Sequence, residues 1–228
     1  MINNEVNLIS ISSGGEMSPE EQVTYCARVS NPSNQNNTKT SKGLIKYLIR
    51  EGHWSPFEMV SMTMEILTTR DIARQILRHR SFSFQEFSQR YADPTVELMF
   101  TVRDARLQDL KNRQNSIEVG DDIESQQLQQ AWVDRQNEVI NEAVEQYTWA
   151  IQNGIAKEQA RAVLPEGNTY SKLYMAGTLR SWVHFVSLRI SNGTQLEHSN
   201  VASLVWDVVK EHFPNVSDAV EELGMVKQ

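Results

Sequence analysis

A chain of 228 residues, 39% hydrophobic and 22% charged, has the composition of a globular protein and the length of one generous domain, so residues 1–228 are expected to form a single unit. Its net charge of −7 excludes partnership with nucleic acid or anionic membrane through overall charge, and no apolar run approaches the ~18 residues of a membrane span. The lone cysteine, Cys26, leaves no disulfide within the chain and fits a reducing compartment, and the opening MINNEVNL lacks the basic start and apolar stretch of a secretory signal, so a cytoplasmic location is expected.

In chain order, Val6 to Ser12 alternate apolar and polar, as a half-buried strand does. Ser18, Pro19 and Glu21 form a capping-box start with proline at the first helical position. That helix should run to about Val29 and bury Cys26 as a structural residue. Leu44, Ile45, Leu48 and Ile49 have helical spacing and stop at Gly52, a C-terminal glycine. After the HWSPFE loop, Val60, Met62, Met64 and Ile66 predict a second strand, and VELMFTV at 96–102 a third. The second half reads as helical. A Gln-rich helix around 126–137 offers a solvated or intersubunit face. Three apolar stripes follow: Ile140, Ala143, Val144, Tyr147 and Ile151; Met175, Leu179, Trp182, Val183, Val186 and Ile190; then Val201, Leu204, Val205 and Val208, ended by Pro214. Strands early and long helices late predict an α+β domain with a small, mostly antiparallel sheet. Neither GxGxxG nor GxxxxGK[ST] is present, so phosphates need another grip.

Arginine is unevenly placed. Five of fourteen, Arg70, Arg74, Arg78, Arg80 and Arg90, fall within 21 residues whose only acids are Asp71 and Glu86, a local charge of five minus two, or +3. Arg70, Arg74 and Arg78 are four apart and share a helix face. Such a stripe is either a solvated face with salt bridges or an anion grip, since the planar guanidinium pairs bidentately with phosphate. The segment lacks lysine and interleaves Phe82, Phe84, Phe87 and Tyr91, which favours the second reading. Used on a single strand of nucleic acid, the same residues would make a binding module, against which the acidic total argues. A flavin-free phosphohydrolase lacks clustered metal-binding carboxylates, and the five histidines show no metal-ligand spacing, so no metal is expected.

Arg78-His79-Arg80, two residues, Ser83, four residues, Ser88, one residue and Arg90 match in full the RHR-x2-S-x4-S-x-R motif of flavin-dependent thymidylate synthases, and the chain resembles that family. HWSPFE at 53–58, Gln75 before the RHR, ARAVLP at 160–165 and RSWVHFVSLR at 180–189 are similar to further family blocks. Met59 stands where many members carry histidine, and Thr178 and His184 where some carry asparagine. The likeness says little about 92–155.

The resemblance implies methylation of deoxyuridine monophosphate (dUMP) to dTMP in thymidylate biosynthesis, with methylenetetrahydrofolate as one-carbon donor and NADPH as reductant through bound FAD. It further implies a cytoplasmic homotetramer with active sites between subunits. Carried over residue by residue, Gln75, Arg78, Glu86, Ser88, Arg90, Arg161 and Arg189 would hold dUMP. His53, Ser55, Arg78, His79, Arg80, Glu86, Thr178 and His184 would hold FAD. Arg189 is the expected catalytic residue, because activating uracil builds negative charge that a fixed cation stabilises; otherwise it is a helix-end arginine favoured by the macrodipole. Ser88 could be a nucleophile, with Glu86 and His79 near in sequence, but sequence shows no base within hydrogen-bond reach, and the resemblance implies a substrate ligand. Cys26 lacks the Pro-Cys-His setting of the thiolate-dependent thymidylate synthases. On one straight helix, at about 100° per residue, His184 points away from Thr178 and Arg189, so the two flavin contacts would serve different copies of the site.

Overall fold

The computed structural model describes residues 3–191 and 193–226. Met1 and Ile2, at the head of the MINNEVNL segment, lie outside this range, as do Asn192, Lys227 and Gln228. The core of the molecule is a four-stranded, wholly antiparallel sheet made of β1 (Glu5–Ile11), β2 (Ser61–Thr69), β3 (Ser83–Glu86) and β6 (Tyr170–Thr178), in the order β1-β2-β6-β3. A bulge shifts the β1 register between Leu8 and Ser10. Met62, Met64 and Ile66 of β2 and Leu173 and Met175 of β6 turn one face inward and are fully buried, whereas Glu65 and Lys172 on the opposite face pair across the strands at 3.5 Å.

Against the apolar face pack α2 (Ser41–Arg50), α3 (Arg70–Ile76), α7 (Leu179–Arg189), α8 (Leu196–His212) and α9 (Pro214–Glu222), whose Trp182, Val183, Phe185, Val205, Trp206 and Phe213 are at most 1% exposed. Burial of this kind stabilises by ~25 cal/mol per Å² of apolar surface. Both core indoles are satisfied: Trp182 Nε1 donates to the Met62 carbonyl at 3.3 Å and Trp206 Nε1 to Glu221 at 2.9 Å. The first helix, α1 (Pro19–Ala27), begins with the expected reciprocal box, Ser18 Oγ accepting from the Glu21 N–H and Glu21 from the Ser18 N–H. Gly52, with φ +70°, closes α2 as expected. Cys26 is half-buried rather than buried.

Three further expectations fail. VELMFTV at 96–102 is not a strand: Asp93 caps the Thr95 N–H at 2.9 Å and Pro94 opens a single helical turn, α4 (Pro94–Glu97), after which Met99 takes φ 65° and Phe100 makes only an isolated bridge to Thr169. The second half is not all helix, because β6 lies there and pairs with both β2 and β3. Met175 therefore belongs to a strand and not to the stripe it was grouped with. A two-stranded hairpin, β4 (Arg106–Gln108) with β5 (Ser116–Glu118), precedes a single long helix, α5 (Ile123–Gln152), that contains the Gln-rich stretch. A short α6 (Lys157–Ala160) packs against α5 in a second, smaller core of Tyr147, Ala150, Ala160 and Leu164. The fold is a mixed α/β single domain of the α+β kind, as the composition and patterning predict. No helix of the described residues is long and apolar enough to cross a membrane.

Candidate active site

The arginine row divides in two. α3 ends at Ile76, so Arg70 and Arg74 lie on the helix and Arg78 beyond it. Arg70 is only 5% exposed, with its guanidinium 3.7 Å from Glu86 and 3.8 Å from Glu166. Arg74 reaches Glu86 at 3.1 Å, and Ser171 Oγ donates to the same carboxylate at 2.8 Å. Salt bridges thus account for both arginines, Arg74 on a solvated face and Arg70 buried, and Glu86 is a knot tying α3 to β3 and β6. Arg78, Arg80, Arg161 and Arg189 differ: among the described residues none of them ion-pairs with a carboxylate. Four uncompensated guanidiniums in a chain of net charge −7 are the donor set an anion requires.

Arg189, at the end of α7, donates its Nε–H to His79 Nε2 at 2.8 Å. His79 therefore accepts at that nitrogen and is neutral, and burial, with the charges of Arg189 and Arg78, pushes its pKa down to about 4. His198, on the first turn of α8, is fully buried and is pushed down to about 3, by burial first and then by Arg189 and His79. The ring of His79 stands edge-on to Phe185 at 4.9 Å and to Phe82 at 6.4 Å. Arg189 itself is lowered by burial and by Arg78, yet an arginine stays charged across the working range. This is a cation fixed by a neutral imidazole. Its remaining guanidinium N–H groups have no partner among the described residues.

Gln75 lies in the same place, joined to His198 at 3.2 Å and to Gln195 at 2.8 Å. Ser88, Arg90 and Arg161 gather at a second station: Ser88 Oγ accepts from the Arg90 N–H, Arg90 lies 3.5 Å from Glu158, and Arg161 Nε donates to the Glu158 carbonyl at 3.3 Å. A third station holds His53, Ser55 and His184, all exposed, with His184 edge-on to Trp54 at 5.5 Å and Arg180 paired with Glu58. Thr178 is not on α7 but is its N-cap, accepting from the Ser181 N–H at 3.3 Å, and Ser181 in turn reaches the Ser81 carbonyl beside Arg80. Thr178, His184 and Arg189 thus face three different neighbourhoods of one chain.

The family model for the thymidylate synthase complementing protein matches residues 15–215. The chain belongs to the flavin-dependent thymidylate synthase family. It is 48% identical over 208 residues to the flavin-dependent thymidylate synthase of Synechocystis sp., covering 91% of this chain and 92% of that one. It is 47% identical over 207 residues, covering 91% and 93%, to the "Probable flavin-dependent thymidylate synthase" of Paramecium bursaria Chlorella virus 1. Among solved structures, the UMP/dUMP methylase PolB from Streptomyces cacaoi, bound with 5-Br dUMP, superposes with a TM-score of 0.82 at 31% identity, covering 99% of this chain and 98% of that one.

Sequence reasoning missed His198, Gln195, Glu197 and Arg106. Gln195 Nε2 donates to Glu197 at 2.9 Å, and Arg106 of β4 reaches the other Glu197 oxygen at 2.6 Å. One signal was available: Glu197 and His198 are adjacent polar residues that both lie on the buried side of an apolar helix.

Proposed function

We propose that this chain methylates dUMP to dTMP, taking the methylene group of methylenetetrahydrofolate and reducing equivalents from NADPH through FAD. Residues 1–228 act as one catalytic domain in the cytoplasm, in a homotetramer whose sites are shared between subunits. The observation that carries this reading is the set of guanidiniums of Arg78, Arg80, Arg161 and Arg189 that pair with no carboxylate among the described residues of an acidic protein, with Arg189 fixed by neutral His79. Such a set fits two phosphorylated ligands and supports FAD as the cofactor.

Gln75, Arg78, Glu86, Ser88, Arg90, Arg161 and Arg189 hold dUMP; His53, Ser55, Arg78, His79, Arg80, Glu86, Thr178 and His184 hold FAD. Glu86 acts mainly by fixing Arg70 and Arg74, since its oxygens already accept from Arg74 and Ser171. FAD, when bound, supplies a ring that accepts hydride from NADPH and passes reducing equivalents on. Arg189 stabilises negative charge on the uracil edge, and the His79 contact fixes the direction of its guanidinium, so that little reorganisation accompanies the reaction. The neutrality of His79 matters here: a protonated imidazole would repel Arg189 and lose the acceptor that holds it.

Shared sites are supported by α5, where Leu128, Trp132, Val139 and Trp149 lie at near-heptad spacing and are 44 to 55% exposed. They are supported too by the three separate stations of Thr178, His184 and Arg189. The test is direct. Purified protein is yellow or takes up FAD, NADPH oxidation responds to dUMP, and dTMP forms only when the folate is added. Protein that binds no FAD and makes no dTMP under these conditions refutes the reading.

A further inference from the structure

Glu197 ends a chain of side-chain hydrogen bonds whose direction chemistry dictates. Its carboxylate only accepts, so Gln195 must turn its NH2 toward it at 2.9 Å, as Arg106 turns a guanidinium N–H toward the other oxygen at 2.6 Å. The Gln195 carbonyl then faces Gln75, and Gln75 must present its own NH2, at 2.8 Å. The Gln75 carbonyl is thereby left for His198, whose Nδ1 lies 3.2 Å away and must carry the proton. Reversing any one amide would set donor against donor or acceptor against acceptor. With one N–H given to Gln195, Gln75 keeps exactly one more to offer.

We propose that Glu197 and His198 are positioning residues: Glu197 through Gln195, and His198 directly, lock the Gln75 amide so that its spare N–H is held toward an oxygen acceptor of the bound nucleotide. The proposal rests on the reading of Gln75 as a dUMP ligand. Three features place this in the fold and not in surface decoration. Glu197 is 6% exposed and His198 0%; His198 is sealed among its neighbours, and Glu197 spends both carboxylate oxygens on Gln195 and Arg106. The ring of His198 stands 6.2 Å from that of His79, which puts the lock directly behind the Arg189–His79 pair. The wire also crosses the molecule, joining the end of α3, the start of α8 and the β4–β5 hairpin across sequence separations of 120, 123 and 91 residues. Burial keeps His198 neutral, which spares the site a further positive charge, and the Gln75 oxygen, which can only accept, selects the tautomer with the proton on Nδ1.

The FAD-loaded enzyme tests this through steady-state kinetics. His198→Leu removes the donor to Gln75. Since a neutral hydrogen bond is worth about a tenfold change at most, the KM for dUMP should rise by about five- to tenfold with kcat within about twofold. The KM for NADPH should stay put. His198→Asn, whose side-chain NH2 can stand where Nδ1–H stood, should return the dUMP KM most of the way. Glu197→Gln provides the second route, because its amide can donate as well as accept and no longer dictates the direction of Gln195; the dUMP KM should rise several-fold here too. Melting curves and the flavin spectrum report folding, and if His198→Leu fails to fold, Glu197→Gln decides alone. A dUMP KM unchanged in folded, FAD-loaded variants overturns the proposal, as does a rise shared equally by NADPH and not reversed by asparagine. Wild-type protein that does not bind dUMP overturns the functional reading instead, and Gln75→Ala with an unchanged dUMP KM overturns the ligand role of Gln75.

Discussion

Gly177 is the place where the sheet and the site press hardest on each other. A Cβ at this position would lie 2.4 Å from Phe82 Cδ1 and 2.6 Å from Cε1, against a contact optimum of about 3.5–4.0 Å, so Gly177→Ala obliges the ring to move by about 1 Å or more. It has little room to do so. Phe82 is packed edge-on against Trp182 at 4.8 Å and lies within 6.1 to 6.4 Å of Phe185, Phe84 and His79, and Trp182 and Phe185 are 0% and 1% exposed. Overpacking of this kind costs about 1–3 kcal/mol, and at 2–4 °C per kcal/mol for a chain of this size the Tm should fall by roughly 3–10 °C. The displaced ring presses on His79, so dTMP formation should fall as well. Scanning calorimetry of FAD-loaded protein measures the first effect and product formation the second. Phe82→Leu placed on top of Gly177→Ala should recover part of the lost Tm, a coupling expected only of residues in contact. An unshifted Tm, or strictly additive losses in the double variant, refutes the account of Gly177 as a packing glycine.

Replacing Arg189 by alanine should cost about 10²–10³ in kcat, the usual loss of one charge-stabilising group, with FAD retained; full dTMP formation by Arg189→Ala would show that the catalytic assignment is wrong. Glu86→Ala leaves the buried Arg70 without its nearer carboxylate and should destabilise by about 3 kcal/mol, whereas Glu86→Gln, which keeps an acceptor for Ser171 and Arg74, should cost less than half as much; equal melting temperatures for the two would remove the charge argument. Acidification should destabilise the fold through His79 and His198. Their folded pKa values, about 4 and about 3, lie below the unfolded value of about 6.5. The unfolded chain therefore binds more protons in this window, and stability present above pH 6.5 is lost as pH falls toward those values. Between pH 6.5 and 5 the loss is on the order of 2 kcal/mol per histidine. Urea midpoints of wild type and His198→Leu across this range should converge as pH falls, and parallel profiles would contradict the reading.

Local signals carried much of the fold because they are short-range physics. Ser18 with Glu21, and Gly52 after α2, need only their own neighbours to act, and both behave as their chemistry dictates. β6 was illegible for a definable reason: Met175 and Leu179 are four apart, so the strand's last inward residue imitates the first turn of the helix that follows, and Thr178, the true boundary, is an N-cap whose side chain accepts from Ser181. The competing alternation of Ser171, Leu173 and Met175 was present but begins with a polar residue, buried because it donates to Glu86. At 96–102 the β-branched and aromatic content misled, and Asp93-Pro94 won because a cap and a preset φ act before any strand partner is met. The arginine motif was readable, as its spacing is local. Which arginines would be neutralised was not, since Glu166 and Glu158, the partners of Arg70, Arg74 and Arg90, arrive from far along the chain.

The same distinction governs α7. His184 and Arg189 are five residues apart, about 140° around the helix axis, and the structure gives each its own aromatic neighbour, Trp54 for one and His79 for the other. Between them the helix buries Phe185 and Val186, so the two side chains leave α7 in different directions. On the proposed reading, one α7 serves two different sites: Arg189 at the nucleotide of one, and His184 at the flavin of another. On that reading the second wall of each site comes from the neighbouring subunit, and the phosphates of the proposed ligands are the countercharges of Arg78, Arg80, Arg161 and Arg189, which pair with no carboxylate among the described residues.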